Sequence, residues 1–290
     1  SCQMCAFYRK DGADDAYTLT PQEIEQRVGI AKQMGATEVH IVGGFHPNLP
    51  LEYYEDMMRT IKKSHPQLNI KALTAAEIYF LSKLTKNSTK EILSRLKDAG
   101  LDSMPGGGAE IFDETVRKKI CGGKVTSDQW INIHKLWHKS GHQSNATMLF
   151  GHIESRENRI DHMLRLRDLQ DETNGFNSFI PLVYQTENNY LNVKEDLTAQ
   201  EILKTMAISR LMLDNFPSIK AYWVTSTVKL ALLSQEFGAN DLDGTIEKES
   251  INSAAGAASA NGMKLTEFKS LIKNSGFDPV ERDSLYNELD

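Results

Sequence analysis

Residues 37–44, Thr-Glu-Val-His-Ile-Val-Gly-Gly, are the stretch that decides the fold. The stretch is rich in β-branched residues and ends in two glycines, which predicts a strand and the turn after it. A helix is predicted before the strand, over residues 21–34, because a proline follows Thr20 at its start and Gly35 ends it. Another helix is predicted after the turn, over residues 51–64.

The same alternation of strand and helix recurs along the chain. Six strand–helix units are predicted, with their strands at residues 37–42, 69–73, 101–104, 144–150, 176–184 and 219–224. Such alternation predicts a parallel sheet with helices outside it. The glycine run 106–108 lacks the GxGxxG spacing of a dinucleotide-binding turn. We therefore expect an α/β fold of the TIM-type (β/α) barrel kind rather than a doubly wound sheet.

The length of 290 residues is compatible with two domains, but α/β barrels of similar length often form a single domain. After Gly238 the alternation stops and short helical segments follow. We expect a barrel over residues 1–237 and a short C-terminal helical cap, packed on it, over residues 238–290.

Composition excludes several classes of protein. The net charge is −6, with 33 Lys and Arg against 39 Asp and Glu, and a nucleic-acid partner would need clustered basic residues. The apolar runs are far shorter than the ~18 residues of a membrane-spanning helix, so no membrane partner is expected. Three cysteines are too few for a secreted disulfide scaffold and suit the reducing cytoplasm, where we expect the protein.

Cys2 and Cys5 form a Cys-x-x-Cys pair. Two thiolates at this spacing can reach one metal centre, so zinc, a redox dithiol and iron–sulfur ligation all remain open. Cys121 stands alone before two glycines and is interpreted as a loop thiol that binds no metal.

His134, His138 and His142 recur every four residues and could share a helix face. The helix is expected to end at Gly141, and it lies outside the sheet, away from the strand ends. Metal binding by these histidines is therefore disfavoured.

Glycine-containing loops follow three of the predicted strands, at residues 43–46, 106–110 and 151–154. In a barrel the loops at the carboxyl ends of the strands build the active site. Glycines there allow the backbone to approach a ligand, and a carboxylate such as Glu154 could hold a ribose hydroxyl or an amino group. The alternatives are a tight strand-to-helix turn at Gly43-Gly44 and a helix-capping role for Glu154.

Together these segments resemble the radical S-adenosylmethionine (SAM) superfamily. Cys2 and Cys5 match the second and third cysteines of its CxxxCxxC signature. The first would lie four residues before Cys2, so we expect this chain to lack the first strand of the barrel and the first cluster cysteine. The resemblance implies a [4Fe-4S] cluster held by three cysteines, with one iron open to SAM.

The resemblance also implies roles for the strand-end loops. Gly43 and Gly44 would contact the methionine ammonium of SAM, and Gly151 and Glu154 would lie near its adenosyl group. Met4 departs from the family, which often has an aromatic residue before the last cysteine.

A closer resemblance is to the aminofutalosine synthase family of menaquinone biosynthesis, and it covers essentially the whole chain. The residues that carry it are 40–47, 101–111, 145–154, 166–173 and 219–224. Two sister families, the dehypoxanthine futalosine cyclases and the deazaflavin synthase subunits, share much of the pattern. Residues 36–44 and 70–78 look more like the synthases.

The resemblance to the synthases implies a reaction that consumes SAM as a co-substrate and takes its electron from a donor such as flavodoxin or ferredoxin. The 5′-deoxyadenosyl radical adds to the enol ether of 3-[(1-carboxyvinyl)oxy]benzoate, and rearrangement with decarboxylation gives 6-amino-6-deoxyfutalosine. Because this substrate carries two carboxylates, cationic or donor groups should line the rim. The candidates are His46, Lys71, Asn145 and His152.

Two alternatives stay open for these last assignments. Lys71 could instead point outward into a helix interface, and Asn145 could cap a strand start. For the whole chain, the different-class alternative is a non-enzymatic scaffold barrel whose Cys2 and Cys5 hold zinc or nothing.

Overall fold

The computed structural model of the protein describes residues 2–10, 12–188, 190–193, 196–246, 249–257 and 262–289. Within these residues the strands are β1 (Glu38–Ile41), β2 (Asn69–Ala72), β3 (Ser103–Met104), β4 (Gln143–Phe150), β5 (Phe176–Val183) and β6 (Ser218–Ile219). The helices are α1 (Pro21–Gln33), α2 (Leu51–Ser64), α3 (Ala75–Thr85), α4 (Thr89–Ala99), α5 (Glu114–Cys121), α6 (Ser127–Lys139), α7 (Arg156–Thr173), α8 (Ala199–Met212), α9 (Trp223–Ser226), α10 (Val228–Leu233), α11 (Ile251–Ala254) and α12 (Leu265–Asn274). A 3-10 helix covers Ser234–Phe237.

The strands form one six-stranded sheet in the order β1-β2-β3-β4-β5-β6. Every pairing whose register is described is parallel, beginning with Glu38 opposite Asn69 and Ile41 opposite Ala72. Each strand is followed by at least one helix. The predicted alternation of strand and helix is therefore confirmed.

Local sequence signals account for many of the boundaries. The Thr20 hydroxyl accepts a hydrogen bond from Glu23 N at 3.2 Å and so caps α1. Past the other end of α1, Gly35 has a φ of 97°, a left-handed conformation that favours glycine. Both residues act as the sequence predicted.

The strand predicted over residues 219–224 is too long. β6 ends at Ile219, and Trp223–Ser226 is helix α9. Ala221 N donates to Asp241 O at 2.8 Å, and the Trp223 indole donates to Gly244 O at 2.9 Å. These partners lie far along the chain, so tertiary contacts override the strand propensity of the segment.

Helix α5 was not predicted, and its presence corrects the interpretation of Cys121. The Asp113 carboxylate accepts Val116 N at 2.8 Å and caps the helix start. Cys121 is the last residue of this helix, and it is buried rather than in a loop.

The chain divides into two compact units. The first unit contains Ser1–Tyr8, Ala109–Ser127 and Asn145–Val280, and the second contains Arg9–Gly108, Asp128–Ser144 and Glu281–Asp290. In the first unit the rings of Phe176 and Phe216 stack with centroids 5.4 Å apart. In the second, Trp130 and Trp137 of α6 are fully buried. The domain boundary at residue 238 stays a prediction.

Within the described ranges, no helix has the length and apolar character needed to cross a membrane.

Candidate functional site

The Cys2–Cys5 segment is a turn held in place from two sides in the first unit. Cys5 N donates to Cys2 O at 3.2 Å and closes the turn. Gln3 N donates to Ile120 O at 2.9 Å, in the last turn of α5, and Gln3 O accepts Tyr190 N at 2.7 Å. Both cysteines are free thiols of intermediate exposure. The backbone between the two thiols is therefore anchored while the thiols stay accessible.

A partly buried ion pair lies close to this turn in the same unit. Lys124 Nζ is 2.6 Å from Glu110 Oε1, and Lys124 N donates to Cys121 O at the end of α5. Burial raises the pKa of the Cys2 thiol, and the nearby Lys124 ammonium opposes that rise. Burial of ionic groups is unfavourable unless they are paired, so such a pair is a candidate functional feature. Nothing in the sequence marked Lys124.

Cys121 differs from the other two cysteines. It is buried, and burial raises its pKa to about 12. A thiol in this state stays protonated at neutral pH and is a poor metal ligand.

The Gly43-Gly44 turn follows β1 in the second unit. Gly43 N donates to the Glu77 carboxylate, on α3, at 3.0 Å. Neither glycine has a left-handed φ, and a Cβ at Gly44 would meet no atom within 4 Å. The space beside Gly44 is therefore open to a ligand.

The loop after β4 is organised around the Glu154 carboxylate, which is fully buried. Gly151 N and His152 N donate to its two oxygens at 2.7 and 2.9 Å. Arg159 adds two contacts of 2.7 Å to Oε1. All of these donors belong to the protein itself, and Ser155 rather than Glu154 caps α7, so the Glu154 carboxylate holds the loop and does not cap the helix.

His152 lies in this loop, with its Nδ1 3.1 Å from Glu154 Oε2. Burial lowers the pKa of its imidazole, against the opposing effect of Glu154. Nδ1 accepts Ile153 N at 2.7 Å, and Nε2 lies 3.1 Å from Leu149 O, which assigns the ring proton to Nε2.

The other three rim candidates also have protein partners. Lys71 forms a buried ion pair with Glu38 at 2.7 Å. The Asn145 amide donates to Ser178 Oγ at 2.7 Å and also to Asn177 Oδ1. His46 accepts Asn48 N at Nδ1, at 3.2 Å.

His134 and His138 of α6, and His142 shortly after the end of that helix, contact other side chains. His134 Nδ1 and His138 Nε2 lie 2.8 and 2.7 Å from the same Ser144 hydroxyl, and both rings are buried. His142 stacks on Trp137 with ring centroids 4.5 Å apart. All three rings therefore have protein partners, and the expectation about metal binding stays a prediction.

Two family profiles match successive parts of this chain. The sequence profile of the Radical SAM superfamily matches residues 1–166. The chain belongs to the radical SAM superfamily. A second profile, the CofH/MqnC C-terminal region, matches residues 173–290 of this radical SAM chain.

Three curated radical SAM relatives match nearly the whole chain. Aminodeoxyfutalosine synthase of Thermus thermophilus is 47% identical over 99% of this chain and 78% of its own length. Aminodeoxyfutalosine synthase of Streptomyces coelicolor is 43% identical over 100% of this chain and 78% of its own length. Cyclic dehypoxanthine futalosine synthase of Halalkalibacterium halodurans is 38% identical over 98% of this chain and 76% of its own length.

Two solved structures share the radical SAM fold at low sequence identity. The FeFe-hydrogenase maturase HydG from Carboxydothermus hydrogenoformans has a TM-score of 0.73 at 16% identity and covers 98% of this chain and 65% of its own. Methylornithine synthase (PylB) has a TM-score of 0.71 at 17% identity and covers 97% of this chain and 79% of its own. The expected α/β fold class is confirmed.

Radical SAM enzymes use a [4Fe-4S] cluster and SAM. Across the described parts of this chain, no group of three or more His, Cys, Asp or Glu side chains is placed to hold a metal ion. The anchored turn nonetheless offers two accessible thiols at the spacing that cluster ligands have. Cys2 and Cys5 thus fit two of the ligand positions of such a cluster.

Proposed function

We propose that this radical SAM enzyme is an aminodeoxyfutalosine synthase of the futalosine route to menaquinone. The observation that carries the proposal is the identity to two synthases across the whole chain, which exceeds that to the cyclic dehypoxanthine futalosine synthase. The sister activities are the alternative within the superfamily.

The proposed substrates are SAM and 3-[(1-carboxyvinyl)oxy]benzoate, and the proposed product is 6-amino-6-deoxyfutalosine. When bound, the cluster supplies the electron that cleaves SAM to methionine and the 5′-deoxyadenosyl radical. The protein's part is to bind and orient the two substrates and to keep water away.

In our proposal, the Cys2–Cys5 turn binds the cluster and the loop after β4 lies near the adenosyl group of SAM. We assign Cys2 and Cys5 to the cluster, on a turn that Ile120 and Tyr190 anchor through the backbone. Glu154 holds the loop of Gly151 and His152 through its own hydrogen bonds. In our proposal it therefore shapes the surface near the adenosyl group, and the backbone of Gly151 makes the approach to SAM.

The shape of the Gly43-Gly44 turn supports its assignment to methionine recognition. The exposed Gly43-Gly44 turn has no left-handed φ and leaves open space beside Gly44. Glycines in ordinary backbone conformations are not needed for the turn itself, so close approach of a ligand explains them better. We assign this turn to the methionine ammonium of SAM.

The benzoate carboxylates need donors, and His46 suits this role best among the four candidates. Its described hydrogen bond uses Nδ1, which leaves Nε2 to donate. Lys71, Asn145 and His152 remain proposed donors to the same carboxylates. Each would have to share or exchange a hydrogen bond that it makes within the protein.

One assay tests the proposal. The full-length protein, anaerobically reconstituted and reduced, is given SAM and the enol-ether substrate, and products are identified by mass spectrometry. We expect aminodeoxyfutalosine. Formation of free 5′-deoxyadenosine with a sister substrate, and none of the adduct, would overturn the assignment.

Metal analysis separates the enzyme from a zinc scaffold. Iron and sulfide in near-equal amounts support a cluster, whereas stoichiometric zinc without sulfide contradicts it. We further propose that the enzyme acts in the cytoplasm with flavodoxin or ferredoxin as reductant. Comparing turnover with each purified donor tests the second part of this statement.

A further inference from the structure

The Glu77 side chain connects a helix cap to the glycine turn. Its Oε2 accepts Thr74 N and the Thr74 hydroxyl, both at 2.8 Å, and its Oε1 accepts Gly43 N at 3.0 Å. Glu77 N returns a hydrogen bond to the Thr74 hydroxyl at 3.3 Å, which completes a capping box at the start of α3. Glu77 is 5% exposed. One buried carboxylate therefore supports two separate backbone segments that lie 34 positions apart.

The same chain contains a capping box without this second task. Glu23 accepts Thr20 N at 2.7 Å and the Thr20 hydroxyl at 2.9 Å, as Glu77 does with Thr74. The Thr20–Glu23 box is exposed, and its described bonds stay within its own helix start. A helix cap alone thus explains Glu23, but it leaves the bond from Gly43 to Glu77 unexplained.

A second contact joins the glycine turn to α3. The rings of Phe45 and Phe80 stack with centroids 5.0 Å apart and an interplanar angle of 10°. Phe80 lies three residues after Glu77, almost one turn further along the helix. The segment from Gly43 to Phe45 is therefore held at both ends, and Gly44 between them faces open space.

We propose that Glu77 is a positioning residue for SAM binding, because its carboxylate fixes the Gly43-Gly44 turn in the conformation that receives the methionine ammonium. This inference rests on the proposed function. A turn that is already ordered binds its ligand without a further loss of backbone freedom. The bond to a buried carboxylate is charge-assisted, which makes it a strong anchor for a single amide.

A glutamine at position 77 separates the two tasks. Glutamine is accepted at this position of a capping box, but it has one carbonyl oxygen where glutamate has two. Glu77→Gln can therefore cap α3 or hold Gly43 N, but one oxygen cannot serve both as the carboxylate does. Glu23→Gln is the matched control, since it makes the same chemical change in a box that holds no glycine turn. Thr74→Ala weakens the cap and keeps the Glu77 carboxylate for Gly43.

The experiment measures SAM affinity by equilibrium dialysis on the full-length, anaerobically reconstituted protein, together with thermal unfolding and KM values. For Glu77→Gln we expect the Kd and KM for SAM to rise roughly ten- to a hundredfold, the effect of losing one charge-assisted hydrogen bond. The KM for the enol-ether substrate should stay unchanged. Glu23→Gln should keep the wild-type Kd for SAM. Thr74→Ala should lower the melting temperature and leave the Kd for SAM close to the wild-type value.

Hydrogen–deuterium exchange of the Gly43 amide gives a readout that needs no SAM. Exchange should accelerate in Glu77→Gln and not in Glu23→Gln. If Glu77→Gln does not fold, Glu77→Asp keeps the charge on a side chain too short for both donors and should show the same changes.

The outcomes separate the two levels of the proposal. Wild-type protein that holds a cluster but binds no SAM contradicts the proposed function, whatever the exchange data show. Wild-type protein that binds SAM, with Glu77→Gln binding it as tightly as Glu23→Gln does, overturns the role of Glu77 and leaves the proposed function standing.

Discussion

Arg159 contacts the Glu154 carboxylate through two nitrogens, Nε and Nη2, each 2.7 Å from Oε1. Glu154 is fully buried and also accepts Gly151 N and His152 N. The Arg159 guanidinium further lies 5.1 Å from the ring centroid of Phe150, at the end of β4. The loop after β4 therefore surrounds the buried Glu154 carboxylate, and the charged partner of that carboxylate is Arg159 on α7.

Replacing Arg159 with methionine should destabilise the protein by about 3–5 kcal/mol, because a buried carboxylate loses its charged partner. Chemical denaturation measures this change in the free energy of unfolding. Arg156→Ala is the control, since Arg156 pairs with Glu201 at 2.8 Å but is 75% exposed, and exposed pairs contribute little. Equal effects of the two substitutions would contradict the central place of Arg159 in this loop.

Much of the fold could be predicted because its signals are local. The β-branched run before Gly43 and the cap at Thr20 lie within a few residues of the elements they define. The failure at residues 219–224 has the opposite cause. There the backbone of Ala221 pairs with Asp241, a partner that local propensity does not reveal.

The candidate site shows the same limit. Glycine turns at strand ends could be located from the sequence, since spacing alone places them. The partners that hold those turns could not be predicted from the sequence, because Glu77 contacts Gly43 from 34 positions further along the chain. The Thr74-x-x-Glu77 pattern did carry a capping-box signal, but that signal predicts a helix start and says nothing of a second acceptor.

Alanine at the two strand-end glycine motifs should give opposite results. Gly44→Ala meets no atom within 4 Å, so we expect normal stability and weaker SAM binding, because a methyl group would occupy the space the ligand needs. Gly151→Ala places a Cβ 2.6 Å from Leu197 Cγ at a φ of +93°. It should therefore lower the free energy of unfolding by about 2 kcal/mol or more.

Thermal unfolding and equilibrium dialysis with SAM distinguish these cases. Gly44→Ala protein that is stable and binds SAM with wild-type affinity would remove the glycine turn from the proposed site.

The three cysteines should differ in their effect on iron content. In the full-length protein, Cys2→Ala and Cys5→Ala should lose the iron and sulfide taken up on anaerobic reconstitution, because each removes a proposed ligand. Cys121→Ala should keep them, since this buried thiol stays protonated. Iron and sulfide assays on the four proteins, with circular dichroism to check folding, test this order. Loss of iron from Cys121→Ala with the fold intact would contradict it.

His138 should make the stability of the protein depend on pH. Its Nε2 lies 2.7 Å from Ser144 Oγ, and burial lowers its pKa to about 4. In the unfolded chain a histidine has a pKa of about 6.5. Between these two values the unfolded state binds more protons than the folded state, so stability must fall as the pH falls.

The contribution of His138 is complete above about pH 6.5 and is lost progressively as the pH approaches 4, with about 2 kcal/mol gone at pH 5. His138→Gln keeps a polar atom near Ser144 and removes this titration. Urea unfolding at pH 7.5 and pH 5 should therefore show a smaller loss for the variant than for the wild type. The neighbouring His134, whose pKa burial also lowers, is present in both proteins and largely cancels in the comparison. Parallel losses in the two proteins would mean that His138 is already protonated in the folded state or exposed to water.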